Sequence, residues 1–269
     1  MIITILVILL AVCMAYALMV RGRAGHPGMK LLQGWSYAHR GLHGKGIPEN
    51  SMAAFRAAVE NGYGAELDVH LLADGGLAVM HDSGLLRTTG REGRIGDLTT
   101  DQLKQYRLEN TNETIPEFTQ VLKLFEGKAP LIIEIKTEKN VNAVCEAVAR
   151  VLDGYQGVYC VESFHPQAVA WFRKNRPEVI RGQLMENYFR TPESKLPVVL
   201  KFIMTNQLLN FWTQPDFVAC NYRDRKIFSN CVARGLWKMQ GVSWTLQTKE
   251  QFDEAVERGW LPIFENFKH

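Results

Sequence analysis

Ala65-Glu66-Leu67-Asp68-Val69 and Leu131-Ile132-Ile133-Glu134-Ile135-Lys136 are two apolar runs of strand length that carry charges toward their ends. Side chains alternate along a strand, so Glu66 and Asp68 share one face, and Glu134 and Lys136 share one face of theirs. An unpaired carboxylate in a central strand is costly, which favours a site over a solvated face. Other strand-like runs stand at Ser36–His39, Val158–Glu162, Val179–Gln183, Phe217–Ala219, Gly241–Thr245 and Leu261–Phe264. Helical patterns at Asn50–Glu60, Glu117–Phe125, Val141–Leu152, Pro166–Lys174 and Lys249–Arg258 fall between them. Asn50 and Ser51 are good N-caps for the first, and Asn61-Gly62 is a stop. Eight strands joined by helices over roughly 235 residues predict an α/β fold, a TIM (β/α)8 barrel rather than an open sheet. Residues 70–115 break the alternation. Asp74-Gly75-Gly76 reads as a hairpin turn, with polar loop after it, and the stretch is expected as a small insertion after strand 2, beside the active face.

The chain opens differently. Ile2 to Val20 holds no charged residue, and at ~1.5 Å per helical residue the run crosses a hydrocarbon core of roughly 30 Å. Ala15-Tyr16-Ala17 has the small-x-small form of a signal-peptide cleavage site. The start lacks a basic segment, however, and the apolar run is longer than a signal peptide needs. The expectation is an uncleaved transmembrane anchor over 1–21, a juxtamembrane linker over 22–34 and a barrel over 35–269. Arg21, Arg23 and Lys30 follow the span, which places the barrel in the cytoplasm by the positive-inside rule. The formal charge of +3 comes from those three residues, because the remainder carries 28 basic and 28 acidic side chains. A neutral body argues against nucleic acid as a partner. The five cysteines form no C-x-x-C pair and are odd in number, which argues against a disulfide framework and a zinc ribbon.

In such a barrel, working side chains sit where strands end. Those ends read His39-Arg40-Gly41, Glu66-x-Asp68 and Glu134-x-Lys136. Carboxylates from Glu66, Asp68 and Glu134 converging on one mouth repel each other unless a cation lies between them. Hard oxygen donors of this kind suit Mg²⁺ or Ca²⁺ rather than zinc. Arg40 and Lys136 beside that cation make a phosphate pocket, although Lys136 can also pair with Glu134. His81-Asp82 brings a second histidine from the insertion, and His39 and His81 flanking a metal-bound phosphate suit acid–base cleavage of a phosphodiester. His43, His70, His165 and His269 read as non-catalytic, with His165 near the mouth, and Arg87 as packing or surface.

The ordered set His39-Arg40-Gly41, Pro48-Glu49-Asn50-Ser51, Glu66-Leu67-Asp68-Val69, His81-Asp82 and Leu86-Arg87-Thr88-Thr89-Gly90 resembles the glycerophosphodiester phosphodiesterases. Ile115-Pro116-Glu117-Phe118, Ile133-Glu134-Ile135-Lys136 and Trp244-Thr245 extend the match, which runs from about Ser36 to about Phe264. The resemblance implies a TIM barrel with an insertion after the second strand, and hydrolysis of glycerophosphodiesters to an alcohol and glycerol 3-phosphate. It implies divalent-metal ligands at Glu66, Asp68 and Glu134, an acid–base pair at His39 and His81, and phosphate contacts at Arg40 and Lys136. Glu49 becomes a supporting polar residue and Trp244 an apolar wall. Ser163-Phe164-His165 and Phe264-Glu265-Asn266-Phe267 depart from the family pattern at the pocket rim, which leaves substrate choice open. Membrane lysophospholipids, cleaved in the manner of a lysophospholipase D, are the alternative substrate. A non-catalytic, membrane-tethered binding module would have lost one of the site residues, and all of them are present.

Overall fold

A computed structural model describes residues 1–137, 140–191 and 194–268 of the chain; His269 lies outside them. The chain begins with helix α1 (Ile2–Met19) and a single turn, α2 (Met29–Leu32), before strand β1 (Tyr37–Ala38). Helix α3 (Met52–Glu60), β2 (Gly64–Leu71), β3 (Leu77–Val79), the short α4 (Leu86–Thr89) and α5 (Phe118–Phe125) follow. Strict alternation then holds through β4 (Leu131–Ile135), α6 (Val141–Leu152), β5 (Tyr159–Ser163), α7 (Pro166–Asn175) and β6 (Arg181–Met185). The rest comprises α8 (Val198–Thr205), α9 (Asn210–Thr213), β7 (Phe217–Asn221), α10 (Phe228–Gly235), β8 (Gln240–Leu246), α11 (Lys249–Glu257) and β9 (Leu261–Phe264).

Eight of these strands run parallel, in the order β1-β2-β4-β5-β6-β7-β8-β9. Tyr37 of β1 pairs with Gly64 of β2 on one side and with Ile263 of β9 on the other, and this closes the expected TIM barrel. Period-two alternation sorts the side chains. Ala65, Leu67, Val69, Leu131, Ile133 and Ile135 face outward, against Phe55, Phe118 and Phe125 of the surrounding helices. Ile132, Cys160, Leu184 and Phe217 fill the barrel from within. A side chain at Gly182 would meet the Phe217 ring at 2.0 Å, so the ring's place requires glycine there. Helix starts follow their caps: Ser51 Oγ accepts from the Ala54 amide and Asn140 Oδ1 from the Ala143 amide.

Several parts differ from expectation, among them α8, α9 and α10, which have no counterpart in the expected helices. Strand β6 begins at Arg181, where the register with Val161 of β5 starts, rather than at Val179. The excursion after β2 is more than polar loop: β3 pairs antiparallel to β2, and Leu72, Ala78, Met80, Leu85, Ile95, Leu98, Leu103, Leu108 and Ile115 make a small core of its own. Residues 22–34, expected as a linker, pack on the body. Met29 and Leu32 close the barrel floor beside Ile180 and Leu261, the Leu32 carbonyl accepts from Tyr37 Oη at 2.8 Å, and Arg23 pairs with Asp216. Helix α1 itself is long and apolar enough to cross a membrane, with mean hydropathy 2.8 and no buried residue.

Candidate active site

Asp68 on β2 stands in register with Glu134 on β4, and Glu134 with Glu162 on β5. Neighbouring strands lie about 4.8 Å apart, so parallel pairing sets three acids side by side on the inner face. Carboxylate oxygens of Glu66, Asp68 and Glu134 lie within 4.8 Å of one another. Burial, reinforced by Asp68 and Glu134, pushes the Glu66 carboxyl well above its ordinary value. Burial also lifts Glu134 to about 7, against the pull of Lys136. Asp68 is held low despite its burial, by Lys136, His81 and Arg40. Lys136 Nζ bridges Asp68 Oδ1 at 2.8 Å and Glu134 Oε1 at 2.7 Å. Asn50 Nδ2 donates to Asp68 Oδ2 at 2.8 Å, and the Arg40 amide to Glu66 Oε2 at 3.1 Å. The buried acids outnumber the cation that bridges them, and all their donors are hard oxygens. This set fits a divalent cation of the Mg²⁺ or Ca²⁺ kind.

Two imidazoles flank the acids, each oriented by a carboxylate. His39 Nδ1 lies 2.5 Å from Glu265 Oε2, at the end of β9, and its Nε2 lies 3.9 Å from Glu66 Oε2. His81 Nδ1 lies 2.6 Å from Asp82 Oδ1. In both, a carboxylate on Nδ1 selects the tautomer that leaves Nε2 to face the site. Burial lowers His39 despite Glu265, and burial takes His81 down to about 4. Arg87 ties Asp82 to Glu49, its Nη2 donating to Glu49 Oε1 at 2.6 Å, while Arg40 Nη1 donates to the same oxygen at 2.9 Å. A continuous line therefore runs His81–Asp82–Arg87–Glu49–Arg40. Arg40 and Asn50 adopt left-handed backbone, and Gly41 (φ 79°) packs where a side chain would meet Ala54 Cβ at 2.8 Å. That close approach lets the β1 loop fold back over the carboxylates.

Beyond Glu134 and Lys136 the mouth becomes apolar. A cavity of about 630 Å³ extends from them between Phe164, Trp212 and the α8 side chains Leu200 and Met204, with Leu196 at its edge. Phe164 meets Trp244 edge-on, ring centres 5.6 Å apart. His165 lines the same cavity, and its buried Nδ1 has no hydrogen-bond partner among the described residues.

The expected residues His39, Arg40, Glu49, Glu66, Asp68, His81, Glu134 and Lys136 form one connected group, and Trp244 reaches the mouth through Phe164. Sequence reading missed Glu265, Glu162, Asn50 and the bridging role of Arg87. Glu162 and Glu265 stand at or just after strand ends, so the rule that found Glu66 and Glu134 also points to them. Arg87 carried no such signal, since its partners come from two separate loops. His70 holds the His81 carbonyl at 3.2 Å rather than facing the acids.

Known proteins resemble the chain in sequence and fold. The chain matches the profile of the glycerophosphoryl diester phosphodiesterase family over residues 39–268. It is 33% identical over 175 residues to a glycerophosphodiester phosphodiesterase of Bacillus altitudinis, covering 61% of this chain and 71% of that protein. It is 28% identical to glycerophosphodiester phosphodiesterase 1 of Bos taurus, over 83% of this chain and 67% of that one. The fold is shared with an Oleispira antarctica phosphodiesterase solved with the product sn-glycerol-3-phosphate, at TM-score 0.72 and 20% identity, covering 88% of this chain and 94% of that one. The chain therefore belongs to the glycerophosphoryl diester phosphodiesterase family, whose members are phosphoric diester hydrolases.

Proposed function

We propose that the chain hydrolyses glycerophosphodiesters to an alcohol and glycerol 3-phosphate at this mouth, with His39 and His81 as the acid–base pair. The observation that carries the reading is the pair of imidazoles, each fixed at Nδ1 by a carboxylate, on either side of the buried acids. One imidazole accepts at Nε2 the proton of the attacking hydroxyl. The other returns a proton to the oxygen of the departing alcohol, so the reaction consumes one water overall. Arg40 and Lys136 hold the phosphate oxygens, Glu49 keeps Arg40 in place, and Trp244 with Phe164 forms an apolar wall. Glu66, Asp68 and Glu134 would hold Mg²⁺ or Ca²⁺, which when bound supplies charge neutralisation for the phosphoryl group. The sn-glycerol-3-phosphate in the Oleispira antarctica structure supports the substrate class. The test is His39→Ala in purified protein whose circular dichroism matches wild type. Loss of glycerophosphodiester hydrolysis is expected, and turnover at the wild-type rate overturns the mechanism.

The apolar cavity favours a second substrate, lysophospholipids, because a space of about 630 Å³ lined by Phe164, Leu200, Met204 and Trp212 is larger and drier than a glycerol alcohol needs. The full chain assayed on glycerophosphocholine, glycerophosphoglycerol and lysophosphatidylcholine separates the two. Turnover confined to the soluble diesters overturns the lipid reading. We read α1, within 1–21, as an uncleaved single-pass anchor, with the barrel of 35–269 on the cytoplasmic side and 22–34 as a packed joint. Exposed Cys231 gives the check: a membrane-impermeant thiol reagent should leave it unmodified in intact cells and modify it after lysis. Modification in intact cells reverses the orientation.

A further inference from the structure

Helix α1 leaves the body at a defined place. Arg23 Nη2 donates to Asp216 Oδ2 at 2.7 Å, just before β7, and its Nη1 to the Pro177 carbonyl at 2.7 Å, ahead of β6. Residue 23 thus sits where strands begin. Val20 is buried, and its carbonyl accepts from Asn210 Nδ2 at 3.2 Å. Trp237 Nε1 donates to the Ala17 carbonyl at 2.7 Å, and Tyr16 stacks on Phe228 with ring centres 5.5 Å apart. Phe228 opens α10, and helices that follow barrel strands start on the catalytic face. From Arg23 to Tyr16 the chain therefore climbs toward the catalytic face. Residues 2–15 continue the same unbroken helix with nothing packed on them, and at ~1.5 Å per residue they extend about 20 Å further.

Helix α8 starts on the same face. Leu200 and Met204 wall the cavity, and Ile203 joins Tyr16 and Val20 in one apolar cluster. Its outer side is apolar as well: Val198 is 71% exposed, Val199 69% and Phe202 52%. Leu196 and Phe189, just ahead of the helix, are also exposed, as is Phe228 beside Tyr16. A helix facing water alone would present polar residues there. Between Phe189 and Thr205 the sequence holds Arg190, Lys195 and Lys201 against one acid, Glu193. Outward apolar side chains interleaved with basic ones are the pattern of a helix that lies in a lipid headgroup layer.

We propose that α8 is a second membrane element, resting on the bilayer that takes up α1 and turning the barrel mouth toward the lipid. The occupant of this surface is a lipid layer with anionic headgroups, because the apolar patch is continuous with the exit of α1 and its charges are basic. The inference rests on reading α1 as a span, and the test separates the two. The full chain, with Cys13 and Cys231 changed to Ser, is reconstituted in vesicles of phosphatidylcholine and phosphatidylglycerol. An environment-sensitive fluorophore is placed on Val199→Cys, on Phe202→Cys one turn along, on Leu10→Cys within α1, or on Glu178→Cys near the strand starts. Labels at 199 and 202 should shift to the blue and be quenched by spin-labelled lipid, as at 10, while the label at 178 should stay water-like. A quenched label at 10 with water-like labels at 199 and 202 overturns the proposal and leaves the anchor standing. Unquenched labels at all positions overturn both.

Discussion

The barrel mouth has two unlike halves. Strands β2 and β4, with the loops after β1, β3 and β4, supply His39, Arg40, Glu49, Glu66, Asp68, His81, Glu134 and Lys136, a lattice in which Arg40 pairs with Glu49, and Lys136 with Asp68 and Glu134. The side formed by the segments after β5 and β6 supplies Phe164, Leu196, Leu200, Met204 and Trp212, which line one shared cavity. Fixed charges on one side can hold a phosphate at a set place, because they need no reorganisation when charge develops. An apolar wall sets only size and shape on the other side. Under the proposed function, chemistry and substrate choice would reside in different segments of chain.

That division can be broken experimentally, and the charged half should give the largest effect. His39→Ala should lower kcat by about 10²–10⁴-fold, the range for a lost acid–base group, with an unchanged melting curve. Retention of kcat would place the chemistry elsewhere. Removal of divalent metal by chelation should abolish turnover and lower the melting temperature, since a cation bound by the folded state alone stabilises it; re-addition of Mg²⁺ or Ca²⁺ should restore both. Glu265→Gln should cost on the order of 10–100-fold, as expected of a group that orients a working side chain. Because Glu265 raises His39, its loss should also move to lower pH whichever limb of the kcat/KM profile His39 sets. In the apolar half, Leu200→Ala should raise KM for lysophosphatidylcholine roughly tenfold, from lost apolar burial, and leave glycerophosphocholine kinetics unchanged. Equal effects on both substrates would dissolve the distinction between the halves.

The smallest effect lies outside the mouth. Tyr222, then Arg225 and Arg258, hold the Glu254 carboxyl down at about 2. A carboxylate lowered on folding stabilises fully above its ordinary range, and that stabilisation is lost as pH falls toward about 2. Glu254→Gln should therefore flatten the acid side of a melting-temperature profile slightly, solvent screening keeping the effect under 1 kcal/mol or so. A steeper profile in the variant would reverse the assignment.

The charged half was legible in the sequence because a carboxylate inside an apolar strand has few other reasons to be there, as at Glu66, Asp68 and Glu134. The apolar half was not. Leu196, Leu200 and Met204 look the same in sequence whether they fill a core or line a cavity, and only the course of α8 distinguishes the two. Arg87 was passed over because its partners, Asp82 and Glu49, meet only after β2 and β3 pair. The packed joint at 22–34 was missed for a similar reason: buried Met29 and Leu32 stand beside exposed Leu31 among glycines, without a period to announce burial.

The small core after β2 has a consequence for how activity is lost. His39 sits on the barrel frame, whereas His81 follows Met80 in a lobe with its own apolar cluster around Leu85, Ile95 and Leu103. Satellite clusters of this kind can open as separate cooperative units, at a lower free energy than the whole fold. Amide hydrogen exchange should therefore find protection in 72–115 failing before that in β4 to β6, and thermal inactivation should precede loss of barrel circular dichroism. One imidazole of the pair would swing away while the other stays in place, so a dormant enzyme would still look folded.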